Sequence, residues 1–212
     1  MTGYREDFLA MARSAAGLVR EPAVRGAWGE PSALPKLGVG GLAGHLAHQV
    51  LVVPEVLAAP ATDEPTVPLL EHYQRSEWIG ADLDADINVG IRNRGEQTAA
   101  QGPVELAARV DSTIGELAGG LTTVPDRPVR LAHWGSWSLT LDDFLVTRML
   151  ELAVHSDDLA VSVGVPTPEL PPGAEHTVID LLSRLAVRRH GPSNVLRALS
   201  RAERAPATIA AF

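Results

Sequence analysis

The stretch from Leu141 to Val163 constrains the fold most, because it contains neither glycine nor proline. Its Leu, Met, Ala and Glu residues favour a helix. Thr140 is well placed to cap the start of this helix, and Asp142 and Asp143 put negative charge in its first turn. Gly164 is a typical stop signal. The sequence therefore predicts one long helix over 141–163.

Two side chains with metal-binding chemistry share one face of this helix. Glu151 and His155 lie four residues apart, so one stands above the other, and Arg148 and Asp158 fall within about a turn of them. Apolar residues surround the pair. A carboxylate and an imidazole in such surroundings need a partner if they are buried, and a divalent metal is one such partner. The alternative is a simple helical ion pair.

Helical periodicity runs through nearly all of the chain and predicts an all-α fold. The loops between the helices are rich in glycine and proline, and the segment 124–139 is predicted to be a loop or a short hairpin. Long helices with long connections indicate a four-helix bundle with long crossovers and extra C-terminal helices. Besides 141–163, the predicted helices cover 2–19, 39–57, 67–94 (stopped by Gly95), 104–117, 175–189 and 193–203.

The helix over 39–57 carries the histidines that could complete a metal site. Bundle sites are built from inward side chains on facing helices, so this helix is expected to face 141–163. His45 and His48 lie three residues apart, and either could approach Glu151 and His155.

Composition excludes several classes of function. The net charge of −8 argues against a nucleic-acid partner, and no run of about 18 apolar residues indicates a membrane span. The content of 45% hydrophobic and 21% charged residues is that of a soluble globular protein, and the polar N-terminus predicts a cytoplasmic location. The chain has no cysteine, so any thiol chemistry must use a thiol from a small molecule.

Two segments together resemble a known family. They are residues 39–47 (VGGLAGHLA) and 148–159 (RMLELAVHSDDL), the latter followed by Gly-Val-Pro at 164–166. They are similar to the corresponding helices of the DinB/YfiT-like bundle, specifically the metal-binding domain of the mycothiol-dependent maleylpyruvate isomerase family. The resemblance covers roughly residues 1–165.

This resemblance implies a site and a chemistry. His45, Glu151 and His155 would be the ligands of one divalent metal, usually zinc, and mycothiol would be the thiol cosubstrate. The implied activity is that of an actinobacterial transferase or isomerase acting on a small electrophilic molecule. Residues 1–165 would form the metal-binding bundle, and 166–212 a helical extension packed on the same domain. Because maleylpyruvate isomerase itself carries a second α/β domain, we expect a substrate other than maleylpyruvate.

The sequence allows two interpretations for several side chains. Asp158 either orients a ligand imidazole or is solvated, and Arg148 either binds a substrate carboxylate or pairs with Glu151 or Asp158. His48 is expected next to the ligands or at the surface. Trp134 and Trp137 would line the mouth of the site or belong to the core.

The remaining charged motifs predict surface rather than function. Asp82, Asp84 and Asp86 are spaced as in a calcium loop, but the sixth position lacks glycine and the twelfth lacks glutamate, so a solvated helix face is expected. Asn88 and Arg92, one turn apart, either point into the cleft or, as we expect, lie in the core or at the surface. A basic series near the C-terminus is expected to be a surface that pairs with acidic neighbours, and it comprises Arg184, Arg188, Arg189, His190, Arg197, Arg201 and Arg204. Four histidines have no partner at ligand spacing and are left without a role: His72, His133, His176 and His190.

Two other classes of function remain open beside the enzyme. The bundle could hold a metal or an apolar ligand without catalysis, for sensing or sequestration. It could also be purely structural, with the three candidate ligands paired among themselves. A homodimer through bundle helices is possible.

Overall fold

The computed structural model describes residues 3–212, and within them it confirms the all-α prediction. The only sheet in this range pairs β1 (Pro128–Val129) with β2 (Leu139–Thr140) in antiparallel fashion. The helices are α1 (Tyr4–Val19), α2 (Pro22–Gly26), α3 (Val39–Ala58), α4 (Leu69–Arg75), α5 (Asp86–Ala99), α6 (Pro103–Ala118), α7 (Leu141–Val163), α8 (Pro172–His190) and α9 (Pro192–Ser200).

Helices α1, α3, α6 and α7 enclose the main core, and α3 packs on each of the other three and on α5. Phe8 of α1, Leu46 of α3 and Phe144 of α7 have no exposed surface. Burial of such side chains is the main force that stabilises a bundle of this kind. The two helices predicted to carry the site, α3 and α7, therefore lie side by side.

Although His45, His48 and Gln49 interrupt its apolar run, helix α3 is apolar enough in mean composition and long enough to cross a membrane, with a mean hydropathy of 1.2 over its most apolar window. However, 61% of that window is buried against the rest of the protein. The apolar character of α3 is thus explained by its place in the core.

The predicted ends of the long helix α7 are confirmed. The side chain of Thr140 accepts a hydrogen bond from the amide of Asp143 at 3.0 Å, which is a normal N-cap. Gly164 ends the helix with a φ of 70°, a conformation that costs glycine little.

The single helix predicted over 67–94 is wrong. The chain forms α4, then turns through residues 76–85, and then forms α5. Gly80 adopts a φ of 76°, and the Asp82 side chain accepts the amide of Asp84 at 2.9 Å, so local hydrogen bonds replace helical ones. Asp82 and Asp84 consequently lie in a loop rather than on a helix face, and Asp84 pairs with Lys36, whereas Asp86 is the first residue of α5.

Gly95 does not stop a helix, because it lies inside α5. Asn88 and Arg92 of α5 donate to the carbonyls of Asp82 and Leu83, so they hold the loop that leads into α5.

The other predicted elements agree with the structure within a few residues. The segment 124–139 contains the short hairpin, and α2 is an additional short helix in the connection between α1 and α3. The predicted start of the first helix at Thr2 lies outside the described residues. After Gly164 the chain continues into α8, which packs on α1 and α7, and then into α9.

Candidate metal centre

His45 of α3 and Glu151 and His155 of α7 meet at one point. Glu151 Oε2 lies 3.4 Å from His45 Nε2 and 3.2 Å from His155 Nε2. One ligand atom from each of the three side chains lies within 4.8 Å of the others, and the two imidazole rings stand edge to face with centroids 4.6 Å apart. Their side chains are only 15–20% exposed.

Glycines on two helices allow the backbone near His45 to be approached closely. A Cβ added at Gly44 would lie 2.0 Å from the carbonyl oxygen of Gly95. A Cβ added at Gly95 would lie 2.6 Å from the carbonyl oxygen of Gly41 and 3.2 Å from Cβ of His45. Helix α5 therefore packs directly on the turn of α3 that carries His45.

Asp158 contacts a candidate ligand directly. Its Oδ2 lies 2.9 Å from His155 Nδ1, so that this nitrogen is hydrogen-bonded to Asp158 and the other ring nitrogen, Nε2, faces Glu151. A carboxylate in this position fixes the orientation of an imidazole and makes it a better ligand. The geometry corresponds to the orienting role considered for Asp158.

Gln49 is part of the site and was missed by sequence reasoning. Its amide nitrogen donates to the carbonyl of His45 at 2.9 Å and lies 3.3 Å from His45 Nε2. Its oxygen accepts from Arg148 Nη1 at 2.5 Å. A glutamine four residues after a histidine on a helix is a weak signal, because the same spacing occurs on any helix surface.

Arg148 does not form the ion pair considered for it. Within the described chain no carboxylate lies within 4.0 Å of its guanidinium, which instead donates to Gln49 and Thr147 and lies over the ring of Phe144 at 5.2 Å. Its positive charge nevertheless acts on Glu151 at longer range. The guanidinium is therefore held by neutral neighbours beside the site.

The three candidate ligands have different protonation tendencies. Burial raises the pKa of Glu151, but hydrogen bonds with His155 and His45 outweigh it and hold that pKa well below its usual value. Burial lowers the pKa of His45. Burial also acts to lower the pKa of His155, but hydrogen bonds with Asp158 and Glu151 raise it to about 9. The geometry thus favours an anionic carboxylate, a neutral imidazole and a protonated imidazole.

His48 is not a member of the cluster of ligand atoms found among the described residues. Burial, followed by the positive charges of Arg148 and Arg94, lowers the pKa of His48 to about 4. Burial and the same two arginines also lower the pKa of the more exposed His133. The guanidinium groups of Arg148 and Arg94 therefore supply positive charge beside two histidines that stay neutral, which makes this side of the site electropositive.

A group of aromatic residues forms another side of the site. Trp137 donates its indole N–H to Nδ1 of His72 at 3.1 Å, which places the imidazole proton on Nε2. Trp134 lies against His72 with ring centroids 4.5 Å apart and against Phe144 at 6.2 Å. Both tryptophans are partly buried against the core, so they belong to its edge beside the site.

The remaining candidates lie elsewhere. His176 and His190 bond backbone carbonyls at Pro172 and Ala210, away from the cluster. The basic series lies on α8, α9 and the turn after them, where Arg184 pairs with Asp180 at 3.6 Å and Arg204 with Glu203 at 3.3 Å.

Two imidazole nitrogens and one carboxylate oxygen make a donor set that suits a divalent metal such as zinc. Three protein ligands would leave coordination positions open, which is typical of catalytic rather than structural zinc sites.

Comparison with known proteins gives a consistent family. Residues 8–160 match the sequence family described as the mycothiol maleylpyruvate isomerase N-terminal domain. A crystal structure of the mycothiol-dependent maleylpyruvate isomerase is 15% identical in sequence to this chain and superposes on it with a TM-score of 0.51. The match covers 88% of this chain and 72% of the isomerase chain. The structure of a histidine-to-alanine mutant of that enzyme is also 15% identical, with a TM-score of 0.52, and the match covers 92% of this chain and 75% of the mutant chain. These structures support the fold. No curated protein is similar enough in sequence to count as a relative.

Proposed function

The chain belongs to the family of the mycothiol maleylpyruvate isomerase N-terminal domain, and from this premise we propose that it is a metal-dependent enzyme that uses mycothiol to convert a small electrophilic molecule. The observation that carries the proposal is the meeting of His45, Glu151 and His155 within 4.8 Å.

In this proposal the three side chains hold one divalent metal, with zinc expected. When bound, the metal would lower the pKa of a coordinated thiol and so make a thiolate available at neutral pH. The thiol must come from a small molecule because the chain has no cysteine. Mycothiol is the thiol named in the family description.

The neighbouring residues keep the ligands in place. Asp158 holds the His155 ring through Nδ1, and Gln49 holds the backbone and ring of His45 while it bonds Arg148. Preorganised ligands lose little entropy on binding a metal, so these contacts favour affinity.

The electropositive side of the site favours a substrate that carries negative charge. The positive charges of Arg148 and Arg94 both act on His48 and His133 there and help to keep these imidazoles neutral. A planar guanidinium such as that of Arg148 is well suited to a carboxylate. We therefore propose an anionic electrophile, attacked by the thiolate in an isomerisation by addition and elimination, or in a transfer.

The metal is tested first. Elemental analysis of the purified protein should give about one zinc per chain. His155→Ala should lose the metal because two protein ligands remain, whereas His176→Ala should retain it because His176 bonds only a backbone carbonyl. Equal zinc content in both variants and the wild type, or no zinc after reconstitution, would contradict the proposed ligand set.

The reaction is tested separately. The zinc-loaded protein is mixed with mycothiol and a panel of small anionic electrophiles that includes maleylpyruvate, and both thiol loss and isomerisation are followed. We expect turnover that His155→Ala and the metal-free protein lack. Bound zinc without turnover across the panel would instead indicate a metal-binding protein for sensing or sequestration.

A further inference from the structure

Tyr73 on α4 carries a buried hydroxyl group that the protein itself leaves without a hydrogen-bond partner. The residue is 4% exposed, and the part of the chain that the structure describes offers its hydroxyl no donor or acceptor. A buried hydroxyl that bonds nothing costs stability, and phenylalanine would fill the same space without that cost. The presence of tyrosine rather than phenylalanine at this position therefore suggests that the hydroxyl has a functional role.

The phenol is linked to the candidate metal centre by ring contacts and by electrostatic interaction. The charges of Glu151 and Arg148 both act on the Tyr73 hydroxyl, and Tyr73 acts in turn on Arg148. A continuous set of ring contacts joins Tyr73 to the site: His72 contacts Tyr73, Trp134 contacts His72, and Phe144 contacts Trp134 and lies under Arg148.

The ring of Tyr73 is fixed on two sides. His72 stands edge-on to it with centroids 5.4 Å apart, and Phe212 lies 5.9 Å away on tilted rings. Burial raises the pKa of the Tyr73 phenol, so the hydroxyl keeps its proton at any physiological pH. A fixed, protonated phenol is a hydrogen-bond donor whose orientation is set before a ligand arrives.

We propose that Tyr73 is a catalytic residue whose hydroxyl donates a hydrogen bond to the carbonyl oxygen of the electrophile. The inference rests on the function proposed above. The thiolate sulfur forms a bond to one carbon of a double bond conjugated to that carbonyl, and the π electron pair moves so that the carbonyl oxygen becomes an enolate oxygen. Tyr73 stabilises this negative charge and keeps its own proton.

The second half of the reaction reverses these changes. After rotation about the former double bond, the electron pair returns from oxygen, the carbon–sulfur bond breaks and the thiolate leaves. Nothing is oxidised or reduced, and no proton is consumed. A donor aimed at the oxygen contributes most while the charge is present, so its removal should act on kcat more than on KM.

The test replaces Tyr73 by phenylalanine in the zinc-loaded protein. Tyr73→Phe should lower kcat on the order of a hundredfold on whichever electrophile the wild type converts, with a smaller change in KM. Mycothiol affinity, measured by calorimetry, should be unchanged. The melting temperature of the ligand-free variant should be equal to or higher than that of the wild type, because an unpaired buried hydroxyl has been removed. The matched control is Tyr4→Phe, which changes the other tyrosine of the chain, 47% exposed on α1, and should alter none of these quantities.

Each other outcome has a definite meaning. A lower melting temperature for Tyr73→Phe would show that the hydroxyl has a structural partner, and unchanged kcat would show that it does not serve the reaction; either result overturns the proposal. Weaker mycothiol binding would assign the hydroxyl to the cosubstrate and also overturn it. An inactive wild type that binds zinc would instead refute the proposed function, and the assignment of Tyr73 with it.

Discussion

His155 is the candidate ligand whose protonation matters most, because it holds a proton where a metal would bind. The hydrogen bonds of Asp158 and Glu151 raise its pKa to about 9 against the effect of burial. In the metal-free protein this interaction stabilises the fold fully below pH 6.5, the ordinary pKa, and the contribution is lost as the pH rises through about 9. A metal must displace that proton.

We therefore predict that zinc binding at pH 7.5 releases about one proton from the protein. The measurement is titration calorimetry in buffers of different ionisation enthalpy. The release should decline as the pH rises through about 9, because His155 loses its proton there without the metal. Asp158→Asn should move this decline to lower pH, because it removes a hydrogen bond that raises the pKa of His155. Zinc binding without proton release at pH 7.5 would show that the metal does not displace a proton from His155.

At the scale of the elements, the site depends on how closely α5 approaches α3. Gly44 and Gly95 bring the two backbones together next to His45, and the carbonyl oxygen of Gly95 occupies the place of a Cβ at position 44. Such a contact is rigid backbone against backbone, so added atoms cannot be absorbed by a side-chain rotation.

Gly44→Ala should therefore separate α3 from α5, lower the free energy of unfolding by about 2 kcal/mol and weaken zinc binding through the displacement of His45. The measurements are urea denaturation and metal titration. Gly115→Ala on α6 is the control: a Cβ there meets nothing within 4 Å, so it should stabilise the protein by about 0.5–1 kcal/mol. Equal stability of the two variants would mean that the crossing tolerates a methyl group.

The break between α4 and α5 has a consequence for the site at the same scale. Because α4 ends at Arg75, it need not follow the direction of α5, and His72 can pack on Trp134 and Trp137 in the segment before α7. One continuous helix over 67–94 would have tied His72 to the direction of α5.

For the whole molecule, the segment after the family match matters most. Helix α8 packs on α1 and α7, and its Ala174, Val178, Leu181 and Leu185 belong to the same core as the bundle. We infer that residues 166–212 are an extension of the bundle and do not fold as a unit of their own. The cytoplasmic location and a possible homodimer stay predictions.

Leu181→Ala should accordingly lower the free energy of unfolding of the entire protein by about 3 kcal/mol, in a single transition. Leu196→Ala on α9, where the leucine is 67% exposed, should change it by less than about 0.5 kcal/mol. Denaturation followed by circular dichroism and by tryptophan fluorescence tests both. If Leu181→Ala splits the transition in two, α8 and the bundle unfold separately and the inference is wrong.

The sequence by itself determined the features that depend on short-range spacing. The length and ends of α7 followed from the absence of glycine and proline, from Thr140 and from Gly164. The alignment of Glu151, His155 and Asp158 followed from the helical repeat, which fixes neighbours on one face wherever the helix lies. The choice of His45 over His48 came from resemblance to the family, since spacing alone allowed both.

Only the tertiary structure decided the contacts made across distant parts of the chain. Gln49 and Arg148 meet because α3 and α7 pack together. His72 and Tyr73 lie on a separate short helix because hydrogen bonds of the Asp82 turn and the left-handed Gly80 interrupt the segment 67–94. Gly95 looked like a stop, yet the close packing of α3 requires it inside a helix. Such contacts depend on which helices become neighbours, and local propensity carries no information about that choice.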